Sequence, residues 1–391
     1  MKVLFLTTSI SHLGGGVSTY IVESARALIN TGCDVQILTT VDPFFEEDCP
    51  ADLPVKAFEK ARLSGPYAYS GSLKRFAMQH CLYFDIIHTH TIWNHQFLVG
   101  GQIAKKCAKK LVCSIHGTLQ SHCMSKSALR KRVLVHLYAY NILNSAACLH
   151  TTGLNEYDTL KSLRLRVPVC IVPIGLNAGE YGADDSLEDN AEVRRLVKDR
   201  KVILFLSRVS PIKGLVNLAE AWGRICMNFP EWSLVIAGPD DNGHLGEVQK
   251  TMHEFGAANQ TTFVGPVYGD LKRRLYAACD LFVLPTHSEN FGIVIAEALA
   301  SGKPVVTTRT TPWKELETYN CGWWIDTGVE SLEKALREAL SLSDSQRQQM
   351  GKCGRKLIED NYSWPRIARE MVGVYEWLLG SGEKPDCVRL D

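Results

Sequence analysis

The chain has 391 residues, too many for one ordinary hydrophobic core and enough for two domains. Apolar residues make up 46% and charged residues 22%, which is typical of a soluble globular protein. The net charge of +1 gives no support for nucleic-acid binding, and no apolar run reaches the ~18 residues of a membrane-spanning helix.

Thirteen cysteines are scattered along the chain without any C-x-x-C pair, and the nearest two in sequence are Cys107 and Cys113. This spacing favours reduced thiols over a disulfide framework or a zinc site. The N-terminal apolar run, residues 3–6, is too short for a signal peptide. Together these features predict a cytoplasmic protein.

The first half begins with a strand, a glycine-rich turn and a helix. Residues 3–6 are apolar, Gly14, Gly15 and Gly16 follow, and residues 17–30 have the helical period. A second strand at 34–40 makes this a βαβ unit, which predicts a parallel sheet. Three glycines allow a ligand to approach the backbone, although a tight turn would also require some of them. The turn is not G-x-G-x-x-G, and we identify no acidic residue after the second strand to hold a ribose.

Histidines end two of the strands that follow. Residues 85–90 end in His88 and His90, to which the sequence assigns no role, and residues 111–115 are followed by His116-Gly117. His116 therefore falls at the carboxyl end of a parallel strand, where open α/β sheets bind ligands. On this evidence alone, a structural histidine and a functional one are equally good interpretations.

The stretch from 86 to 155 contains no Asp or Glu, although the whole chain is nearly neutral. It holds eight Lys and Arg residues and seven histidines, and residues 126–132 open a basic amphipathic helix. Such a segment can rest on an anionic membrane surface, with ~1 kcal/mol for each basic residue near the lipid. The alternative is a solvated face that lacks acids by chance.

The second half repeats the α/β pattern after a polar, acidic linker at 179–189. Its predicted strands are residues 202–206, 233–237, 262–264, 280–284 and 305–308. The turn after the first of them contains Arg208 and Lys213. Two cations at the carboxyl end of a strand suit a diphosphate better than they suit a random surface position.

The stretch 284–300 runs from a buried strand through a polar turn into an apolar helix. Glu289 lies in the turn, and Glu297 lies about two turns into the helix at ~3.6 residues per turn. Free N–H groups at the start of a helix favour an anion such as phosphate. The two carboxylates are then best explained as acceptors for the hydroxyl groups at either end of a nucleotide-sugar. The simpler alternative is a dipole-complementing Glu289 and a surface Glu297.

In this order and at these separations, the motifs resemble the retaining glycosyltransferases of family 4, group 1, with the GT-B fold, of the kind that builds bacterial exopolysaccharide and lipopolysaccharide. The resemblance covers nearly the whole chain. It is carried by Gly14-Gly15-Gly16, His116-Gly117, Ser207-Arg208 with Lys213-Gly214, Phe263-Val264-Gly265, and the E-x7-E span from Glu289 to Glu297. It implies an α/β protein with two Rossmann-like parallel-sheet domains facing a cleft, and a C-terminal helix that crosses back to the first domain.

The resemblance also implies roles for individual residues. Arg208 and Lys213 would bind the donor diphosphate, Glu289 would hold the donor sugar, and His116 would lie beside that sugar; these four form the predicted catalytic set. The predicted donor-binding set is Gly15, Gly16, Val264, Gly265, Asn290, Phe291, Gly292 and Glu297, with Glu297 on the ribose.

Two departures from the family pattern are visible. The family often has P-N-G-[VI]-D where this chain has Pro173-Ile174-Gly175-Leu176-Asn177, and Ser207 replaces the usual Gly before Arg208. No D-x-D motif occurs anywhere in the chain. We therefore expect no metal and no cofactor, with the nucleoside-diphosphate sugar as a substrate.

The sequence thus predicts an acceptor-binding domain at 1–175, a linker at 176–200, a nucleotide-sugar-binding domain at 201–365, and a C-terminal helix with a frayed tail at 366–391. The expected activity is hexosyl transfer to a sugar or a lipid-linked glycan, in the cytoplasm or on the inner face of the cell membrane. Two alternatives stay open: a nucleotide-sugar 2-epimerase of the same fold, and a non-catalytic sugar-nucleotide-binding partner.

Overall fold

A computed structural model describes residues 1–119, 139–182 and 200–390. They form two compact units: unit 1 comprises Met1–Gly175 and Trp364–Asp391, and unit 2 comprises Leu176–Ser363. The first part of the predicted linker, residues 176–182, lies in unit 2, and residues 183–199 lie outside the described residues.

Unit 1 is built on an eight-stranded sheet of order β14-β7-β6-β5-β4-β1-β2-β3. Its strands, numbered in chain order, are β1 (Lys2–Leu6), β2 (Asp34–Thr40), β3 (Val55–Phe58), β4 (Ile86–His90), β5 (Lys110–Ser114), β6 (Cys148–Thr151), β7 (Val169–Ile171) and β14 (Val388–Arg389). All pairs are parallel except that of β14 with β7. The strands of a parallel sheet are buried on both faces, which explains why these strand sequences are nearly continuous apolar runs.

The helices of unit 1 are α1 (Gly16–Asn30), α2 (Phe45–Asp48), α3 (Gly71–His80), α4 (His95–Cys107), α5 (Tyr140–Ser145), α6 (Leu154–Ser162) and α14 (Trp364–Leu379). Helix α1 buries the stripe that contains Tyr20, Ile21 and Leu28. The C-terminal helix α14 packs on α1, where Trp364 and Tyr20 lie 6.0 Å apart between ring centroids. The C-terminal helix therefore does belong to the first unit.

Unit 2 is built on a six-stranded parallel sheet of order β10-β9-β8-β11-β12-β13. Its strands are β8 (Lys201–Leu206), β9 (Trp232–Ala237), β10 (Thr261–Gly265), β11 (Leu281–Leu284), β12 (Val305–Thr308) and β13 (Gly322–Ile325). Its helices are α7 (Leu215–Ile225), α8 (His244–Glu254), α9 (Gly269–Ala278), α10 (Ile293–Ala300), α11 (Glu315–Thr318), α12 (Val329–Ser341) and α13 (Asp344–Asn361). Trp222, Trp232 and Trp313 are its largest fully buried side chains.

The predicted fold class, two Rossmann-like parallel-sheet domains, is confirmed. In each sheet the strand order reverses once, between β1 and β4 in unit 1 and between β8 and β11 in unit 2. Ligands of open α/β sheets bind beyond the carboxyl ends of the strands at such reversals. The reversals therefore mark the two places where the predicted site residues should be sought.

The structure corrects two expectations at the level of the fold. The tail predicted to be frayed after Gly380 forms β14, and Val388 is buried because it pairs with Cys170 of β7. A disulfide joins Cys81 and Cys107, with 6.6 Å between their Cα atoms, so the prediction of uniformly reduced thiols is wrong for this pair. The two cysteines are 26 residues apart in sequence and meet only because α3 packs beside α4.

Two further findings bear on the membrane hypothesis. None of the helices in the described ranges is long and apolar enough to cross a membrane. The basic segment 126–132, which the sequence predicts to rest on anionic lipid, lies outside the described residues.

Candidate functional site

In unit 2, the predicted diphosphate and sugar residues follow two neighbouring strands. Arg208 and Lys213 come after β8, and Glu289 comes after β11, the strand that pairs with β8 at the reversal. The two turns touch: His287 N–H donates to the carbonyl of Ile212 at 2.7 Å. A Cβ on Gly214 would lie 2.0 Å from the carbonyl oxygen of Pro285, so this approach requires glycine.

Lys213 and Glu289 form an ion pair at this contact. The Nζ atom lies 2.5 Å from Oε2, and the two side chains are only 10% and 18% exposed. The sequence predicted separate roles for these residues, and the structure brings them together. The cation for the predicted diphosphate and the acceptor for the predicted sugar therefore neutralise each other.

Arg208 is held differently, on the outside of the same turn. Its side chain is 60% exposed and reaches Oδ2 of Asp241 at 3.0 Å. A backbone hydrogen bond holds Asp241 in place, since its N–H donates to the carbonyl of Val209 at 2.9 Å. Arg208 is thus an exposed cation on a rigid turn, and Asp241 is a partner that sequence reasoning missed.

Helix α10 begins directly after the Glu289 turn. Its N-cap is Gly292, in the left-handed conformation with φ of 77°, and no side chain caps the helix. The start of α10 can therefore receive an anion. Phe291 is 4% exposed, and its ring packs against those of Trp313 and Tyr362. Any contact between Phe291 and a ligand would accordingly use its backbone.

Glu297 is buried in α10 and accepts three hydrogen bonds from protein groups. Its Oε1 accepts from Lys272 Nζ at 2.5 Å and from the hydroxyl of Tyr181 at 3.1 Å, and its Oε2 accepts from the hydroxyl of Tyr276 at 2.8 Å. Burial, and then the Glu297 charge, raises the pKa of both tyrosines far above the usual value. The sequence predicted that Glu297 needs a partner, but it did not identify these three.

Val264 and Gly265 end β10, two strands away from β8. Both are half-buried, and Gly265 has φ of 81°. The carbonyl of Gly265 accepts from Gly238 N–H at 2.7 Å, which ties the end of β10 to the end of β9. Asn290 lies half-buried in the Glu289 turn.

In unit 1, the glycine-rich turn follows β1. Gly15 has φ of 57° and precedes α1, which starts at Gly16. An acidic residue does follow β2, contrary to the prediction: Asp42 lies two residues beyond the end of that strand. Its Oδ2 accepts from the hydroxyl groups of Ser9 at 2.6 Å and Ser11 at 2.9 Å, so Asp42 braces the glycine turn.

His116 follows β5 in a turn of two left-handed residues, with φ of 49° at His116 and 72° at Gly117. The Gly117 N–H donates to the carboxylate of Glu156, which is 2% exposed. The Nε2 atom of His116 lies 3.2 Å from Nδ1 of His90. Burial lowers the pKa of His116 to about 3, so the ring is neutral at physiological pH.

A buried chain of hydrogen bonds lies beside this turn. A carbonyl can only accept, so His150 Nε2–H donates to the carbonyl of Val172 at 2.9 Å, and Nδ1 of the neutral His150 ring must be an acceptor. This determines the donor in each of the other hydrogen bonds of the chain. Ser114 donates to His150 Nδ1, His88 Nε2–H donates to Ser114, and Tyr375 donates to His88 Nδ1, each at 2.6 Å. His88, to which the sequence assigned no role, is therefore a structural link between β4 and α14.

Metal ions in proteins are held by groups of His, Cys, Asp or Glu side chains. Within the described residues, no group of three or more of these side chains is placed to hold a metal ion.

Comparisons with known proteins identify the family. Residues 14–180 match the family model described as Glycosyltransferase Family 4, and residues 187–357 match the one described as Glycosyl transferases group 1. An uncharacterized glycosyltransferase of Methanocaldococcus jannaschii is 25% identical over 96% of this chain and 98% of its own. A D-inositol 3-phosphate glycosyltransferase of Stackebrandtia nassauensis is 25% identical over 92% of this chain and 86% of its own.

Among solved structures, HepE of Anabaena in complex with UDP and glucose is similar, with a TM-score of 0.76. It is 21% identical over 96% of this chain and 100% of its own. At this identity the likeness supports the fold alone.

Proposed function

The chain belongs to the family 4 glycosyltransferases, and on that premise we propose that it moves a hexosyl unit from a nucleoside-diphosphate sugar to an acceptor hydroxyl with retention of configuration. The observation that carries the proposal is the contact of Lys213 with Glu289 beside the uncapped start of α10. It combines a cation, a carboxylate and helix N–H groups at the strand-order reversal of unit 2.

The chemistry follows from the charge that develops. The bond between the anomeric carbon and the phosphate oxygen breaks, and negative charge develops on the departing diphosphate. The acceptor oxygen forms a bond to the same carbon, and its hydroxyl proton passes to the diphosphate. Lys213, Arg208 and the first N–H groups of α10 stabilise that charge, and one such donor is typically worth ~10²–10³ in rate. Because cationic side chains supply this stabilisation and the chain has no D-x-D motif, we propose that no metal is required.

The remaining roles are taken from the family resemblance. Glu289 holds the hydroxyl groups of the transferred sugar, Glu297 holds the ribose, and His116 contacts the transferred sugar. The nucleotide we would test first is UDP, because HepE was solved with UDP and glucose.

The acceptor is proposed to be a sugar or a lipid-linked glycan, and an anionic acceptor is favoured by two observations. Lys105, Lys106 and Lys110 are exposed within the stretch of unit 1 that lacks acidic residues. The Stackebrandtia relative is named for a phosphorylated acceptor, inositol 3-phosphate. The same basic surface would place the protein on the inner face of the membrane, and binding to anionic vesicles that is abolished by salt would support this.

The first experiment is a thermal-shift screen against UDP-, GDP-, ADP- and TDP-sugars with EDTA present. A selective rise in Tm with one donor supports the proposal and identifies the nucleotide. Incubation of that donor with acceptors, followed by NMR of the anomeric proton of the product, tests retention. Conversion of the donor into its C2 epimer would favour the epimerase, and no shift with any donor would favour the non-catalytic partner.

A further inference from the structure

The backbone of the His116 turn is closed by one buried carboxylate. Glu156 is the third residue of α6, and its Oε2 accepts from Thr152 through N–H at 2.8 Å and the hydroxyl at 3.1 Å. Its Oε1 accepts the N–H of Gly117, which lies in the turn after β5. A single side chain near the start of α6 therefore ties the segment before that helix to the turn after β5. His116 and Gly117 are both left-handed there, and a non-glycine residue such as His116 needs support from its surroundings to keep that conformation.

The ring of His116 is held by a second buried group. His90, at the end of β4, is 0% exposed, and its ring stacks on that of His116 with 5.5 Å between centroids. Its Nδ1 lies 3.2 Å from His116 Nε2. Tyr20 packs on His116 edge to face at 4.9 Å. Because Nε2 of His116 is engaged, Nδ1 is the ring nitrogen left for a ligand.

The direction of the bond between the two histidines follows from the far side of His90. Its Nε2 is buried and has no hydrogen-bond partner among the described residues. If that nitrogen carried the proton, a buried N–H would be left without an acceptor and its desolvation would be uncompensated. The proton of His90 is therefore on Nδ1 and is donated to Nε2 of His116. His116 in turn carries its own proton on Nδ1.

We propose that His90 and Glu156 are positioning residues for His116, and that they fix it as a neutral imidazole presenting Nδ1–H to an oxygen of the substrate. His116 then acts as a hydrogen-bond donor and not as a base. This inference rests on the proposed function only for the identity of the substrate, and the arrangement of the three side chains can be tested without any turnover.

The test that is independent of activity is the tautomer of His116. Long-range ¹⁵N–¹H correlation spectra of protein labelled with ¹⁵N-histidine distinguish the two neutral forms, and the His116→Asn variant assigns the signal. We expect a single neutral form with the proton on Nδ1, and a mixture of tautomers in His90→Phe. A proton on Nε2 of His116 in the unmodified protein would overturn the proposal.

The kinetic test uses release of UDP from UDP-glucose, or the corresponding pair selected by the donor screen. His90→Phe keeps a ring but loses the donor, and we expect kcat to fall roughly 10- to 100-fold while the Kd for UDP is unchanged. His90→Asn places an amide N–H near the position of Nδ1 and should restore most of the loss. His95→Phe, another buried histidine of unit 1, is the matched control and should leave kcat unchanged.

Glu156→Gln tests the backbone contact. The amide nitrogen must face either Gly117 N–H or Thr152 N–H, so one acceptor is lost, and we expect the same fall in kcat with the Kd for UDP unchanged. Thr152→Val removes only the hydroxyl that donates to Oε2 of Glu156, on the side away from Gly117. This variant should have the kcat and the Kd for UDP of the unmodified protein. Wild-type kcat in folded His90→Phe and Glu156→Gln would refute the positioning roles. An unmodified protein that binds and turns over no donor would instead refute the proposed function, while the NMR result still decides the inference.

Discussion

The ammonium of Lys213 lies 2.5 Å from a carboxylate oxygen of Glu289, so the predicted diphosphate cation is paired with the predicted sugar-binding carboxylate. Donor binding must therefore share or exchange this cation. We therefore expect substitutions of Lys213 and Glu289 to differ in their effects on the Kd for UDP, although both lower turnover.

Glu289→Gln should leave the Kd for UDP unchanged or lower it, because Lys213 no longer has a competing carboxylate. The same variant should lower kcat, because the transferred sugar exchanges a charged carboxylate acceptor for a neutral amide with only one accepting oxygen. Lys213→Ala should weaken UDP binding and lower turnover together, by ~10²–10³ in rate. Calorimetry with UDP and assays of UDP release from UDP-glucose separate the two quantities. Parallel losses of UDP affinity in both variants would contradict the exchange.

Arg208 offers a matched pair of changes with Asp241. Because the Arg208 side chain is 60% exposed, its ion pair with Asp241 should be worth under about 1 kcal/mol of stability. Arg208→Ala should therefore unfold at nearly the same urea concentration as the unmodified protein while losing ~10²–10³ in turnover. Asp241→Ala, which frees the same cation, should keep its activity. If Asp241→Ala lost as much turnover as Arg208→Ala, the ion pair and not the free cation would be what matters.

The sequence predicted most strands and helices of both units closely, because buried parallel strands are apolar runs and surface helices have a 3.6-residue period. The predicted strand 202–206 is Lys201–Leu206, and the predicted helix 17–30 is Gly16–Asn30. These signals are local, so a few neighbouring residues are enough to detect them.

What the sequence could not supply is pairing across the fold. Lys272 is 25 residues from Glu297 in sequence, and Tyr181 is 116 residues from it. Only the packing of unit 2 brings both side chains into contact with Glu297. The disulfide of Cys81 with Cys107 was missed for the same reason. One local signal was overlooked: Lys272 and Tyr276 are four residues apart and share a face of α9.

Glu297 can be tested through the ribose itself. If its carboxylate accepts ribose hydroxyl groups, Glu297→Gln should raise the Kd for UDP roughly 10- to 100-fold, the range for hydrogen bonds to a charged group. The sharper comparison uses 2′-deoxy- and 3′-deoxy-UDP. At least one analogue should bind the unmodified protein more weakly than UDP does, and that difference should largely disappear in Glu297→Gln. Tyr276→Phe is the control, because it loosens Glu297 without removing its charge. A ribose preference that survives in Glu297→Gln would remove this residue from the ribose site.

The buried histidines of unit 1 make stability depend on pH. Burial lowers the pKa of His116 to about 3 and of His150 to about 4, and it also lowers the pKa values of His88, His90 and His95. In the unfolded chain these rings take protons below a pH of about 6.5. As pH falls below that value, the unfolded state binds more protons, so the free energy of unfolding decreases by up to ~1.4 kcal/mol per pH unit for each ring. Glu156 opposes this trend because burial raises its pKa, but it is one group against five.

The measurement is urea unfolding of the unmodified protein at pH 7.5, 6.5, 5.5 and 5.0. We expect little change between the first two values and a steep loss below them. His116→Asn removes one of the five rings from a half-buried position, so its slope against pH should be shallower by up to ~1.4 kcal/mol per unit. Stability that stays constant down to pH 5, or an unaltered slope in His116→Asn, would mean that these imidazoles already take up protons in the folded state.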